Sequence, residues 1–406
     1  MPLTPTCAPL CGHTSRVWSL CWHPTLPLLA SCGEDRTLRL WAPCAPCAPP
    51  PRAPAPPGGA PPLAARAPAW ACILEVDDIS PRTVRCCAWS PCGRFLAAAA
   101  FDHYTTVWRV GGAALAAGGL ARVAAAGGVL AEGAVELEVL ARLDGPENEV
   151  KCVAFSASGE LLATCSRDKT IWVWRSVDEG TDFECVGVLP GHEQDVKAVA
   201  WHPSAELLAS ASYDDSLRLW GEAADDWVGV QALPHAHAST VWALDWDAGG
   251  GRLATVGEDR ALRLWAAAPA PLGATPGPGA LHLRAAGAAE AAHERTVFSV
   301  RWARHAGGEA LIATGGADDA VRVFRAAAAA GGASGAPQCA AAVHPAHGGD
   351  VNCVRWHPRE PLLATAGDDG QVRLWAWAEE EEGAGAGVAA AAAAGGGAAA
   401  AGGSAP

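Results

Sequence analysis

The chain has 406 residues, half of them apolar, with 43 Asp plus Glu against 29 Lys plus Arg and a formal charge of −14. That length supports a large core, and the acidic balance disfavours nonspecific binding to nucleic acid or to anionic membrane, which asks for a basic surface. Fifteen cysteines are an odd number, and Cys21, Cys152, Cys165 and Cys353 fall on apolar runs, as small apolar residues do in a reducing compartment. No apolar run reaches membrane-spanning length unbroken, since even the Ala and Gly tract 111–133 is interrupted by Arg122. The opening MPLTPTCAPLCGH lacks the basic segment and apolar core of a secretory signal. A cytosolic chain is expected.

In chain order, seven stretches read alike: Leu28 to Trp41, Phe95 to Trp108, Leu161 to Trp174, Leu207 to Trp220, Arg252 to Trp265, Leu311 to Phe324 and Leu362 to Trp375. An aspartate stands six residues before each closing aromatic: Asp35, Asp102, Asp168, Asp214, Asp259, Asp318 and Asp369. Ten residues before it comes Ser31, Thr164, Ser210, Thr255, Thr314 or Thr365, with Ala98 the exception. Twenty-eight before it comes His13, His192, His237 or His347, and His293 lies three further back. This spacing resembles the WD-repeat signature, in which each repeat forms one four-stranded blade of a β-propeller. The expected fold is therefore all-β, a seven-bladed WD-repeat propeller over 1–378. A histidine before the inner strand, a hydroxyl on the second, an aspartate in the next turn and a Trp N–H on the third can form one buried hydrogen-bonded chain. These residues are read as scaffold, because they belong to different blades and do not converge on a metal or a reaction centre.

The first dozen residues are too few for a blade, so they are expected to close the ring as an outer strand, weakened by Pro2, Pro5 and Pro9. Insertions rich in Ala, Gly and Pro are expected near 42–69, 111–133, 266–290 and 326–337, and a disordered acidic and Ala/Gly tail over 379–406. Cys44 and Cys47 form a CAPC pair with no matching pair elsewhere, so no metal site is assigned. Blade two lacks both the histidine and the Ser or Thr, and Pro146 stands where blade three needs its histidine, leaving that network open.

There is no phosphate-cradling Gly motif, no HExxH and no GxSxG nucleophile elbow, so neither an enzyme nor a resident cofactor is expected. A binding platform remains. Two rings should surround one mouth of the central channel. One is the residue before each Asp: Glu34, Phe101, Arg167, Tyr213, Glu258, Ala317 and Asp368. The other follows the inner-strand valine: Trp18, Arg85, Lys151, Lys197, Trp242, Phe298 and Asn352. Blades two to four thereby supply a cationic arc, Arg85, Lys151, Arg167 and Lys197, beside Phe101 and Tyr213, while Trp242, Phe298 and Trp18 complete an aromatic side. Such residue types anchor interfaces, and the arc would suit a partner segment carrying acid and aromatic groups.

The runs ENEVKCVAFSASGELLATCSRDKTIWVW, FECVGVLPGHEQDVKAVAWHPSAELLASASYDDSLRLW and DDWVGV resemble the WD-repeat subunit of the cytosolic iron-sulfur cluster targeting complex. The likeness continues in RTVRCCAWSPCG, STVWALDWD and GDVNCVRWHP. It implies a monomeric, non-catalytic scaffold without cofactor, acting with a HEAT-repeat subunit, a small adaptor subunit, a hydrogenase-like iron-sulfur protein and apo-protein clients of the cytosol and nucleus. It also implies a functional surface arginine at Arg167 in SRDK and another at Arg85 in TVR. Where animal members carry an LYR tripeptide said to contact a cochaperone, this chain reads Leu219, Trp220, Gly221. The alternatives are a WD-repeat adaptor of another kind, such as a ubiquitin-ligase substrate receptor or histone-tail reader, and a propeller that itself holds a cluster through its cysteines.

Overall fold

A computed structural model describes residues 2–44, 69–112, 133–177, 182–224, 226–269, 281–304, 310–326 and 335–378. The tail, Cys47, most of the insertions expected over 42–69, 111–133 and 326–337, and the middle of the one expected over 266–290 lie outside these residues.

Seven antiparallel sheets form a seven-bladed propeller, six of them built from four consecutive strands and the seventh closed by the amino terminus. The inner strands are Val17–Trp22, Val84–Trp89, Val150–Phe155, Val196–Trp201, Val241–Trp246, Val297–Trp302 and Val351–Trp356, and each neighbours the next around the ring, the last returning to the first. Second strands such as LLATCS at Leu161–Ser166 and LLASAS at Leu207–Ser212 are buried on both faces. That explains their unbroken apolar reading, since a strand covered on both sides has no solvent face to alternate with. The core lies between blades: Leu28, Ala30, Leu38 and Leu40 of blade one pack against Val84, Cys87 and Leu96 of blade two.

The ring closes as the prolines imply, in short pieces. Leu3–Pro5 pairs with Trp377, Ala376 and Trp375, and Leu10–Cys11 pairs with Val372 and Gln371. Pro9 has no N–H to give a ladder, and the closing strand is split just before Leu10.

One boundary is corrected. The insertion expected over 266–290 is narrower, because the third strand of blade five runs over Leu262–Pro269 and Leu281–Ala289 is its outer strand, paired from Pro269↔Leu281 to Leu262↔Ala289. The ladder is made by backbone groups, so an Ala and Gly sequence pairs as well as a bulkier one once Leu283 anchors it in the core.

Contacts between blades include two that the repeat spacing does not announce. His23 ends blade one's inner strand and its Nε2 donates to the Gly93 carbonyl of blade two at 3.1 Å, while its Nδ1 accepts from the Leu26 N–H at 2.9 Å. His202 reaches the Gly250 carbonyl of blade five in the same way at 3.0 Å. Both glycines have positive φ, and a Cβ on either would stand within 2.4 Å of the imidazole, so only glycine permits the latch.

Candidate functional site

Every inner strand carries a β-bulge just after its first valine, where the register skips Trp18, Arg85, Lys151, Lys197, Trp242, Phe298 and Asn352 in turn. A bulge leaves its extra residue unpaired and re-aims the side chain. All seven bulged residues line the central channel. The other ring is pinned beside them. The N–H groups of Glu34, Phe101, Arg167, Tyr213, Glu258, Ala317 and Asp368 donate to the carbonyls of Arg16, Thr83, Glu149, Asp195, Thr240, Thr296 and Asp350, each just before its blade's first valine. The two rings therefore share one mouth.

Side chains fill it unevenly. On blades two to four, Lys151 Nζ lies 4.1 Å from the Phe101 ring centroid, and Lys197 Nζ sits 5.1 Å from both Tyr213 and Trp242. Arg85 stacks over Trp18 at 4.7 Å, and Trp242 meets Phe298 edge to face at 5.1 Å. Tyr213 is half exposed. Three cations of the arc, Arg85, Lys151 and Lys197, thus each sit against one or two of the aromatics, in cation–π contacts worth about 0.5–2 kcal/mol apiece by their degree of desolvation.

Three members of this cluster were not anticipated. Glu149 accepts from Lys151 at 2.5 Å and Arg82 at 3.1 Å and lies 3.6 Å from Arg167. Burial pushes its carboxyl up, but Lys151, Arg167 and Arg82 outweigh burial and hold it below the usual carboxylate range. Asp195 pairs with Lys197 at 3.3 Å. Burial lowers the Lys151 ammonium, which Glu149 opposes and the nearby Lys197 and Arg85 reinforce, so the arc's charges are close enough to repel. A signal for the two carboxylates exists in the sequence: in NEVK and QDVK an acid stands two residues before the lysine, and side chains two apart on a strand share a face. Arg82 reaches across from blade two, which no spacing rule shows. Five cations against two carboxylates leave this side of the mouth positive. The opposite side gathers acids, with Arg16 held by Glu34 at 3.1 Å and lying 3.8 Å from Asp368, and with Asp350 raised by burial and by its neighbours Asp368 and Asp319.

The scaffold residues close as their spacing predicts. His13 bridges Asp35 at 2.8 Å and Ser31 at 2.7 Å, and Trp41 Nε1 donates to Ser31 at 2.7 Å. Blade four repeats this through His192, Asp214, Ser210 and Trp220, blade five through His237, Asp259, Thr255 and Trp265, and blade seven through His347, Asp369, Thr365 and Trp375. In blade six His293 joins Asp318 and Thr314, both at 2.7 Å, and Phe324 has no donor to add. Blade three keeps Trp174 on Thr164 at 3.1 Å, while Asp168 is held by the Glu147 N–H at 2.8 Å instead of a histidine. In blade two Asp102 turns to Arg142 at 3.3 Å. Among the described residues no three His, Cys, Asp or Glu side chains converge to hold a metal ion.

The "WD domain, G-beta repeat" family matches residues 5–42, 77–109, 137–175, 183–221, 230–266 and 339–376, more than half of the chain. The first three strands of blade six fall outside these spans, and it is the blade whose closing Trp is replaced by Phe324. The probable cytosolic iron-sulfur protein assembly protein 1 of Vanderwaltozyma polyspora is 38% identical over 312 residues, 75% of this chain and 84% of that protein. The Mycosarcoma maydis protein of the same name is 36% identical over 176 residues, 41% of this chain and 36% of the relative. A probable cytosolic Fe-S cluster assembly factor of Schizosaccharomyces japonicus is 32% identical over 170 residues, 42% of this chain, and there the match spans only 20% of the relative. With six matched repeats, seven blades in space and a relative aligned over most of its length, the chain belongs to the WD-repeat family and, within it, to the cytosolic iron-sulfur protein assembly protein 1 family.

Proposed function

We propose that this chain is a non-catalytic docking subunit for cytosolic iron-sulfur protein assembly, and that the mouth of blades two to four is its partner-binding surface. The observation that supports the reading is charge segregation: Arg85, Lys151, Arg167 and Lys197 sit together with Phe101 and Tyr213 on a chain of net charge −14. A partner segment with carboxylates would displace part of the Glu149 network and receive bidentate contacts from Arg167 and Arg85. The aromatic side, Trp18, Trp242 and Phe298, supplies the apolar anchor. On this reading the partners are the HEAT-repeat, adaptor and hydrogenase-like iron-sulfur subunits of a targeting complex together with apo-protein clients in cytosol and nucleus. The cluster is their cargo.

Copurification from cells tests this. Iron-sulfur enzymes and assembly subunits are expected in the bound fraction, and Arg167→Glu is expected to cut their recovery at least tenfold with an unchanged circular dichroism spectrum. Recovery of ligase or chromatin subunits alone would overturn the assembly reading. Full recovery with folded Arg167→Glu would overturn the surface.

A further inference from the structure

The central channel encloses about 510 Å³, a volume typical of small-molecule sites. Its charged lining is one-sided in sign: Arg85, Lys151, Lys197, Arg301, Arg304 and Arg355 against a single acid, Asp245. The first three belong to the mouth already described. The other three do not. The fifth residues of the inner strands form a separate layer, three residues beyond the bulged ring and so about 10 Å deeper at the rise of a strand. Around that layer stand Cys21, Ala88, Ala154, Ala200, Asp245, Arg301 and Arg355. Blades two to four contribute only alanines there, which leaves open space facing the charged wall of blades five to seven.

On that wall Arg301 Nη1 donates to Asp245 Oδ1 at 2.8 Å, and Arg304 lies 3.5 Å from the same oxygen. Asp245 is buried, and its second oxygen accepts from the Trp302 N–H at 2.8 Å. Its capacity is therefore used. Arg355 donates to the Val354 carbonyl at 2.9 Å and lies 3.5 Å from Ser299 Oγ, both neutral groups. Among the described residues no carboxylate comes within ion-pair distance of it. Burial, opposed by Asp245 and reinforced by Arg355 and Arg304, lowers the Arg301 guanidinium to about 10. Three guanidinia around one carboxylate leave an excess of two positive charges at this end of the channel, on side chains that solvent still reaches, Arg301 being 34% and Arg304 44% exposed.

We infer that Arg301, Arg304 and Arg355 form an anion site at the end of the channel away from the mouth of blades two to four, built for a small phosphate-bearing molecule. The planar forks of arginine match phosphate oxygens in pairs. A segment docked across the mouth of blades two to four does not serve this site, because the layer lies about 10 Å further along the strands. Asp245 fixes Arg301 and limits the charge left for the ligand.

The experiment is calorimetric titration of the full chain with inorganic pyrophosphate at low ionic strength. One saturable site per chain is expected. Arg355→Gln is expected to weaken it at least tenfold, with the unliganded melting temperature preserved, since no buried carboxylate loses its partner. Asp245→Asn is expected to tighten it. Arg167→Glu, at the mouth, is expected to leave it unchanged, which separates this site from the docking surface. Should Arg355→Gln fail to fold, Arg304→Gln replaces it, because that side chain is 44% exposed. The inference is overturned by absence of saturable binding, by equal affinity in the folded arginine variant, or by loss of binding in Arg167→Glu alone.

Discussion

Blades one, four, five and seven spend the loop before the inner strand on tying themselves together, whereas blades two and three spend the same loop on the mouth. In blade four that loop places His192 between Asp214 at 2.9 Å and Ser210 at 2.8 Å. In blade three Pro146 takes the histidine's place, and the residues after it bring Glu149 under Arg82, Lys151 and Arg167. The bond from Arg82 to Glu149 crosses from blade two to blade three. The difference shows that the histidine network is one way to hold a blade and that packing between blades can hold it without. Blade four does both, closing its network and still adding Lys197, Asp195 and Tyr213 to the mouth, so it is in blade three that the loop residues are given over to the charged cluster instead of a histidine tie.

The sharpest way to break this contrast is to remove a histidine from a closed blade. His192→Ala takes away the acceptor of the Ser210 hydroxyl, which keeps only its bond from Trp220, and removes the imidazole from half-buried Asp214, and two such losses cost about 2–3 kcal/mol. Pro146→Ala, in the blade that has no network, should cost under about 1 kcal/mol. Urea unfolding of the two variants measures both, and equal midpoints would show that the network contributes nothing particular.

Much of this was legible in the chain because a propeller converts sequence period into position. Seven aspartates at one offset fixed the blade count, and the ring of Trp18, Arg85, Lys151, Lys197, Trp242, Phe298 and Asn352 followed from alignment to the inner-strand valine. The physical cause, a bulge at each of those residues, is a hydrogen-bonding detail that no residue type marks. What stayed hidden were contacts between repeats. Arg82 finds Glu149, His23 finds Gly93, and Arg301 and Arg304 find Asp245 across blade boundaries, at separations of 67, 70, 56 and 59 residues, where nothing local encodes the pairing. The deep arginine layer was missed for the same reason, since its members become neighbours only when the ring closes.

Acid titration sharpens the comparison by separating ties between blades from ties within them. His23 is buried, with Nε2 donating to Gly93 and Nδ1 accepting from Leu26, so a second ring proton has no place. Burial, opposed by the Gly93 bond, lowers its imidazole to about 4. The folded value lies below the ordinary 6.5, so the unfolded chain binds the proton first. Stability is full above pH 6.5 and falls by about 3 kcal/mol as pH drops to 4. Blade six adds to this upper limb, because burial, opposed by Asp318, also lowers the His293 imidazole; the network carboxylates respond later. Burial raises the Asp35 and Asp369 carboxyls, but His13 and His347 with nearby backbone N–H groups bring them down to about 2. Asp214, Asp259 and Asp318 are likewise held below the usual range. Their contribution is present above the ordinary carboxylate value and is lost as pH falls toward 2. Urea midpoints from pH 7.5 to 3 should therefore show two descending limbs, and His23→Gln should shrink the upper one while leaving the lower.

A smaller effect is expected from installing the missing member. In the closed blades the residue after the histidine donates its N–H to the aspartate: Thr14 to Asp35 at 3.1 Å, Glu193 to Asp214 at 2.8 Å, Ala238 to Asp259 at 3.1 Å and Gly348 to Asp369 at 3.0 Å. In blade three the Glu147 N–H meets Asp168 at 2.8 Å, so the loop backbone already holds the closed-blade position. Thr164 already accepts from Trp174 at 3.1 Å. A histidine at 146 would arrive between Thr164 and Asp168 with both partners in place. Two added hydrogen bonds contribute about 1–2 kcal/mol, and loss of the proline's restraint on the unfolded chain returns about 0.4–1 kcal/mol. Pro146→His should then stabilise the protein by about 1 kcal/mol, read as a higher urea midpoint at unchanged slope. The mouth is the control: because Glu149 keeps its three cations, partner recovery should stay at the level of the unaltered chain. A lower midpoint would mean that the open loop is required by the charged cluster above it, and that blade three cannot hold a histidine tie and the Glu149 cluster together.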